Sequence, residues 1–367
     1  MNQPLKNQID IQLIKQIAHG LNELDPSFCV NSFVQKTKMN WEKRELKERI
    51  YQISENLNLS LKGDFKEKTH LLKSVAPKIS GLGALVFPDF IGRFGLNEDW
   101  KTCMQALEYF TPFFSSEFGV RPFMILNQAR MLRQMEEWTK HDNHHVRRLA
   151  SEGARPRLPW ATKIASLIKN PAPILPILEK LKDDESLYVR KSVANSLNDI
   201  SKDHRELALS IGRKWHGSSQ RTDWVVKHGL RTLIKKGQPD ALSLFGLNKL
   251  NRFFILHLKL DRAQISIGET VHFSFVAINS SPKSQLVRLE YFIYFTRKNG
   301  TLSKKIFKIS EKILAPGEHK ISRRHEMKTM TTRKIYPGRH KIEIVANGLP
   351  LCSQEFTVES KRNHANP

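Results

Sequence analysis

The sequence predicts a multidomain chain, α then β: an α-solenoid of HEAT-like repeats followed by an immunoglobulin-like β-sandwich. Three observations carry this expectation. The hydrophobic period changes once, near residue 250. A charged motif recurs before that point at the spacing of helix pairs, and turn signals punctuate alternating runs after it.

In the first part, apolar residues recur at steps of three and four. The sets are Ile9, Leu13, Ile14, Ile17 and Leu21; Leu46, Ile50, Ile53 and Leu57; Ile164, Leu167 and Ile168; and Ile174, Leu175 and Leu178. Each set lines one face of an amphipathic helix. Asp142-Asn-His-His-Val146-Arg147-Arg148 aligns with Glu185-Ser-Leu-Tyr-Val189-Arg190-Lys191 at a spacing of 43, and with Asp223-Trp-Val-Val226-Lys227-His228 after a further 37. These are HEAT-type periods, in which stacked helix pairs form a curved array with a concave binding surface. An acid or Asx ahead of each Val suits a helix N-terminus. A repeated acid and arginine can also ladder between neighbouring repeats, which gives Arg147 and Arg190 a scaffold role.

In the second part the alternating runs are Thr270-Val-His-Phe-Ser-Phe-Val-Ala, Leu286-Val-Arg-Leu-Glu-Tyr-Phe-Ile-Tyr-Phe and His340-Lys-Ile-Glu-Ile-Val. Ser280-Ser-Pro, Asn299-Gly, Pro316-Gly and Pro337-Gly separate them. About seven strands fit, as expected of an immunoglobulin-like sandwich. The expected organisation is therefore a helical domain over 1–251, a β-sandwich over 252–360 and a disordered tail over 361–367.

Charge points to a polyanionic partner. Lys+Arg 60 against Asp+Glu 36 gives a net charge of +24. Residues 252–360 alone carry 19 basic and 9 acidic side chains, so the second part is the more densely positive. Cys29, Cys103 and Cys352 are scattered, without a CxxC pair, and imply neither a disulfide framework nor a zinc site. No stretch reads as a signal peptide or a membrane span. The expected location is cytoplasmic, associated with the nucleoid, with no membrane contact.

The run Val146-Arg-Arg-Leu-Ala-Ser-Glu-Gly-Ala-Arg-Pro-Arg-Leu-Pro-Trp160 sets one carboxylate, Glu152, among Arg147, Arg148, Arg155 and Arg157 and ends in tryptophan. Positive charge at close range favours the ionised acid. On a helical wheel with each repeat's Val at zero, Arg148 and Lys191 fall at about 200°, Glu152 and Asn195 at about 240°, and Asp199 at about 280°. Glu152 and Asp199 are thus expected on one flank of stacked helices, off the buried stripe of Val189, Val193, Ser196, Leu197 and Ile200. His228, Thr232 and Lys236 occupy that flank in the third repeat. The result is a groove with two carboxylates beside positive charge.

That run, the segment Val189-Arg-Lys-Ser-Val-Ala-Asn-Ser-Leu-Asn-Asp199 and the ending Tyr336-Pro-Gly-Arg-His-Lys-Ile-Glu-Ile-Val-Ala-Asn-Gly348 together resemble the AlkC-type DNA alkylation repair proteins. These belong with AlkD-type proteins among the HEAT-like repeat DNA glycosylases, and the resemblance is to the AlkC subgroup with a C-terminal immunoglobulin-like domain. It implies that Glu152, Asp199 and Glu117 occupy the family's acidic active-site positions and Trp160 its active-site aromatic position. It implies further that the lesion is reached in sharply bent DNA without full extrusion.

The residue types fit that chemistry. A base carrying an N3-methyl group is cationic and leaves as a neutral molecule, so no general acid is needed. Stabilising an oxocarbenium-like sugar and activating water remain, and a carboxylate can do both. The expected function is a monofunctional glycosylase acting on 3-methyladenine and 3-methylcytosine in double-stranded DNA, monomeric, with no cofactor, metal or obligate protein partner. Glu152 would position water, Asp199 and Glu117 would be accessory anions, and Trp160 would stack on the base or sugar. Expected DNA contacts are Arg148, Arg155, Arg157, Lys191, Lys227, His228 and Lys236, with Arg323, Arg324 and Arg333 in the β-domain. The alternative is a non-catalytic HEAT-repeat adaptor gripping DNA or an acidic protein. Two carboxylates and a tryptophan beside a basic groove argue against it, because carboxylates weaken phosphate binding.

Overall fold

The structure, a computed structural model, describes residues 4–330 and 333–360; the expected tail at 361–367 lies outside them. It divides into two compact units, Met1–Gly229 and Leu230–Pro367.

The first unit is helical. It opens with α1 (Ile11–Leu24), α2 (Val30–Thr37), α3 (Leu46–Ser60) and α4 (Phe65–Val75). Next come α5 (Val86–Phe94), α6 (Trp100–Phe110) and α7 (Val120–Leu126). The repeat region holds α8 (Gln128–Trp138), α9 (His144–Gly153), α10 (Ala165–Lys169) and α11 (Leu175–Leu181). It closes with α12 (Leu187–Asp203), α13 (Arg205–Trp215) and α14 (Gln220–Gly229). Short polar side chains start several of these helices by accepting otherwise orphaned backbone N–H groups. Asp10, Asp64, Asp99, Asn127 and Asn143 all do so. Ile9, Ile14, Ile17 and Leu21 are fully buried, as their spacing predicts.

The repeats are the pairs α8–α9, α11–α12 and α13–α14, and α12 packs against both α9 and α14. Small residues let these helices close up. The Ser151 hydroxyl donates to the Ser192 hydroxyl at 2.6 Å across α9 and α12. A Cβ on Gly229 would come within 2.6 Å of Leu197, so α14 presses its backbone against α12. The third repeat departs from the wheel. Helix α14 ends at Gly229, so Thr232 and Lys236 do not continue the flank that carries His228.

The second unit contains α15 (Arg231–Lys235), α16 (Pro239–Ser243) and eight strands; the two short helices therefore group with the β-structure. The strands are β1 (Phe253–Leu260), β2 (Gln264–Ser266), β3 (Thr270–Asn279) and β4 (Gln285–Thr296), then β5 (Leu302–Leu314), β6 (Gly317–Glu326), β7 (Gly338–Ala346) and β8 (Leu349–Glu359). They form a three-stranded sheet, β1-β3-β6, and a five-stranded sheet, β2-β8-β7-β4-β5. Inward residues alternate along the strands, with Val271, Phe273, Phe275 and Ala277 on β3 joining Leu289, Tyr291, Ile293 and Phe295 on β4 in one core. The turn signals sit where the chain reverses. Gly300 (φ 78°) lies between β4 and β5, and Gly317 (φ 115°) opens β6 after Pro316. Among the described residues, no helix is long and apolar enough to cross a membrane.

Candidate active site

The charged residues of α9 and α12 meet through the loop that follows α9. The Arg155 Nη1 donates to Glu152 Oε1 at 2.6 Å, and its Nε donates to Asp199 Oδ2 at 2.9 Å. One guanidinium therefore joins the two carboxylates that the wheel placed on a common flank. A second guanidinium, Arg148, lies 3.6 Å from Glu152 Oε1 and donates to Glu117 Oε2 at 2.5 Å and to the Ser115 hydroxyl at 2.8 Å. Lys202 completes the cluster, donating to Asp199 Oδ1 at 2.9 Å. Against their burial, Glu152 and Glu117 hold the Arg148 guanidinium above its ordinary pKa, and Glu152 and Asp199 do the same for Arg155.

Two expectations need correction. Of the four arginines around Glu152, only Arg148 and Arg155 reach it; Arg157 pairs with Asp203 at 2.7 Å and Arg147 with Asp184 at 2.7 Å. The carboxylates are also not on an open flank, since Glu152 is 4 % and Asp199 1 % exposed. The wheel counts α9 and α12 alone, whereas loop 154–162 folds back and supplies the arginine that covers them.

The oxygens are not equivalent. Both Asp199 oxygens are engaged, by Arg155 and Lys202. Arg148 and Arg155 share Glu152 Oε1, and Oε2 accepts no hydrogen bond among the described residues. Glu117 likewise uses Oε2 alone. Glu152 and Glu117 each keep an oxygen for a ligand or water.

Trp160 stands apart from the core, 61 % exposed on a backbone with φ 61°. A non-glycine residue in the left-handed region costs about 1–3 kcal/mol, which the surroundings must enforce. Arg121 does so. Buried in α7, it donates to the carbonyls of Gly153 (3.1 Å), Arg155 (2.7 Å) and Thr162, and so pins both ends of the loop that carries Arg155 and Trp160. It makes no carboxylate pair among the described residues. Burial pushes its guanidinium down to about 10, and Arg155 adds to the effect. Arg121 is silent in the sequence, because partners that are all backbone carbonyls leave no pattern in side-chain chemistry. Tyr188 is equally silent there; its ring lies 4.9 Å under the Arg148 guanidinium.

The remaining basic positions separate by setting. Arg148 and Arg155, expected to contact DNA, are committed to the internal cluster. Lys191 and Lys227 are exposed on the helical unit, and His228 is stacked on Trp224 at 4.9 Å. In the second unit Lys236, Arg323 and Arg324 are exposed, while Arg333 packs 4.2 Å over Phe295.

Arg147 is a scaffold residue. It clasps Asp184 of the next repeat bidentately and donates to the carbonyls of His141 and Asp142, and Arg190 repeats the carbonyl contacts at Asp184 and Glu185. Arg147→Met is expected to lower stability by roughly 1–3 kcal/mol in urea melts, the range for a part-buried charged hydrogen-bond network. Activity per folded molecule should be unchanged. A loss of activity without loss of stability would place Arg147 in the site.

A stack of helix pairs with buried carboxylates and a protruding tryptophan, followed by a basic immunoglobulin-like sandwich, defines a helical-repeat protein built to act on a polyanion. The comparisons narrow this. Residues 113–211 match the DNA alkylation repair enzyme family, and residues 255–360 match the C-terminal Ig-like domain family of the uncharacterised protein YhaZ. The uncharacterised protein YhaZ of Bacillus subtilis (strain 168) is 42% identical over 356 residues, covering 96% of this chain and 99% of that one. The structure of the Pseudomonas fluorescens alkylpurine DNA glycosylase AlkC, bound to DNA containing an abasic site analog, superposes with a TM-score of 0.95 at 38% identity, covering 97% of this chain and 100% of that chain. The chain belongs to the AlkC-type DNA alkylation repair family, in the group with a C-terminal immunoglobulin-like domain.

Proposed function

We propose that this chain is a monofunctional DNA glycosylase that hydrolyses the N-glycosidic bond of cationic N3-alkylated bases, 3-methyladenine and 3-methylcytosine, in double-stranded DNA. The observation that carries this reading is the division of labour at Glu152. Arg148 and Arg155 fix Oε1 and leave Oε2 without a partner among the described residues. Water held there adds its oxygen to C1′ as the C1′–N bond breaks. The bonding pair leaves with the base, which becomes neutral, and the water proton passes to Oε2. Glu117 adds negative charge toward the oxocarbenium-like sugar. Asp199, with both oxygens engaged, positions Arg155 rather than touching substrate. Trp160 offers its face to the cationic base or the sugar. Lys202, the lysine of the cluster, is engaged by Asp199, and we expect no Schiff-base step and no strand cleavage.

The test is direct. The purified chain, with no added metal, should release free 3-methyladenine from methylated duplex, leaving abasic sites that break only on alkaline treatment. Tight binding without base release would give the adaptor reading instead. We assign phosphate contacts to Lys191, Lys227 and Arg157 on the helical unit and to Arg323 and Arg324 on edge strand β6, acting in a monomer of cytoplasmic, nucleoid-associated type. Replacing Arg323 and Arg324 with glutamine should reduce the slope of log affinity against log salt by about 0.9 for each phosphate that is no longer neutralised. An unchanged slope would remove β6 from the interface.

A further inference from the structure

The first turns of α9 and α12 bring three rings together beside an arginine of the acidic cluster. His144 and His145 open α9, and Tyr188 is the second residue of α12, one repeat later. The His145 ring lies 5.5 Å from the Tyr188 ring at 66° and the His144 ring 6.2 Å from it at 90°, so both stand steeply against its plane. The Tyr188 ring in turn lies 4.9 Å from the Arg148 guanidinium. Two rings of one repeat thus fix a ring of the next, and that ring meets Arg148.

Arg148 needs such a seat. Its side chain is long, and its two guanidinium hydrogen bonds both leave from Nη1, toward Ser115 and Glu117 ahead of α7. Nη2 stands 3.6 Å from Glu152 Oε1, outside hydrogen-bond reach. Those bonds draw the group toward Glu117 and do not by themselves keep it beside Glu152. An aromatic face can do so, because a guanidinium stacks on a ring while its edges stay free for carboxylates. The neighbouring histidine leaves that face to Arg148. Burial first, then the charges of His144 and Arg148, push the His145 imidazole below its usual pKa, and its Nδ1 is buried with no hydrogen-bond partner among the described residues. The ring beside Tyr188 is therefore neutral near pH 7, and does not compete with Arg148 for the π-face as an imidazolium would. We infer that Tyr188 is a positioning residue: it seats Arg148 so that this guanidinium keeps Glu117 and Glu152 in register for the reaction.

The inference rests on the glycosylase reading for the reaction it serves. Tyr188 is 37 % exposed, so Tyr188→Leu and Tyr188→Phe should both fold, which thermal melting checks. Single-turnover release of 3-methyladenine is measured at saturating protein, and affinity for abasic-site DNA beside it. Tyr188→Leu should lose about ten-fold in rate with affinity changed less than about two-fold, whereas Tyr188→Phe, which keeps the ring face, should recover most of the rate. A second readout needs no bond cleavage. It is the Nε–H resonance of Arg148 in arginine-labelled protein, assigned by its absence from Arg148→Lys. The ring current of residue 188 should displace this resonance in the wild type and in Tyr188→Phe, and release it in Tyr188→Leu. Equal rates in all three proteins, an equal rate loss in Tyr188→Phe and Tyr188→Leu, or a resonance that Tyr188→Leu leaves in place overturns the proposal. A loss of affinity with the saturated rate intact also overturns it, by making Tyr188 a DNA contact. If none of the proteins releases base, the glycosylase reading falls alone, and the resonance still decides whether Tyr188 seats Arg148.

Discussion

Glu152→Gln is expected to lower single-turnover release of 3-methyladenine by on the order of 10²–10⁴-fold, the usual effect of losing a positioned general base. Glutamine keeps the shape and an acceptor oxygen for Arg155, so the chain should fold and bind abasic-site DNA as before. The substitution also removes one negative charge near the phosphates, so affinity should hold or rise slightly. The assay is rapid-quench base release at saturating protein, with thermal melting on the same sample. Wild-type rates would remove Glu152 from the chemistry. A large rate loss in Glu117→Gln alone would transfer the role to the other carboxylate with an open oxygen.

The largest expected effect on stability lies one side chain away. Arg155→Met leaves Glu152 and Asp199 buried without the guanidinium that joins them, and breaking a buried ion pair from one side costs about 3–5 kcal/mol. Urea denaturation measures it. Arg155→Lys should restore only part, because a point charge cannot bridge two carboxylates as a planar fork does. Adding Asp199→Asn to Arg155→Met should recover some of the loss, since one of the stranded charges disappears. Two losses that simply add would show that Arg155 and Asp199 are not coupled.

These two residues also mark how far the sequence could be read. Helical periodicity and the 43-residue spacing placed Glu152 and Asp199 on one flank of stacked helices, because both properties are local to α9 and α12. What covers those flanks is not local. Arg155 arrives from a loop, Arg121 from α7, and neither follows a period. A ladder of acid and arginine between repeats was legible, and Arg147 forms it with Asp184 and, more weakly, with the aligned Glu185, whereas the choice of Arg148 for Glu117 depends on a turn that only the folded chain brings near. In the β-unit, Pro316-Gly and Pro337-Gly marked reversals correctly. Strands β5 and β6 were harder to see, since edge strands face solvent and fill with lysine and arginine where central strands alternate.

The clamp made by Arg121 has a thermodynamic consequence. A loop of nine residues left loose would have to surrender its backbone freedom at each encounter with DNA, at about 1–2 kcal/mol per residue. Here folding has already ordered it, because a buried guanidinium occupies the carbonyls of Gly153, Arg155 and Thr162. On the proposed reading Trp160 would meet the duplex as a fixed projection, and little ordering of its loop would be deducted from the binding free energy. Discrimination between damaged and intact bases would then, on the proposed reading, be left to the charge on the base itself, with no need for a protein rearrangement that only the lesion can trigger.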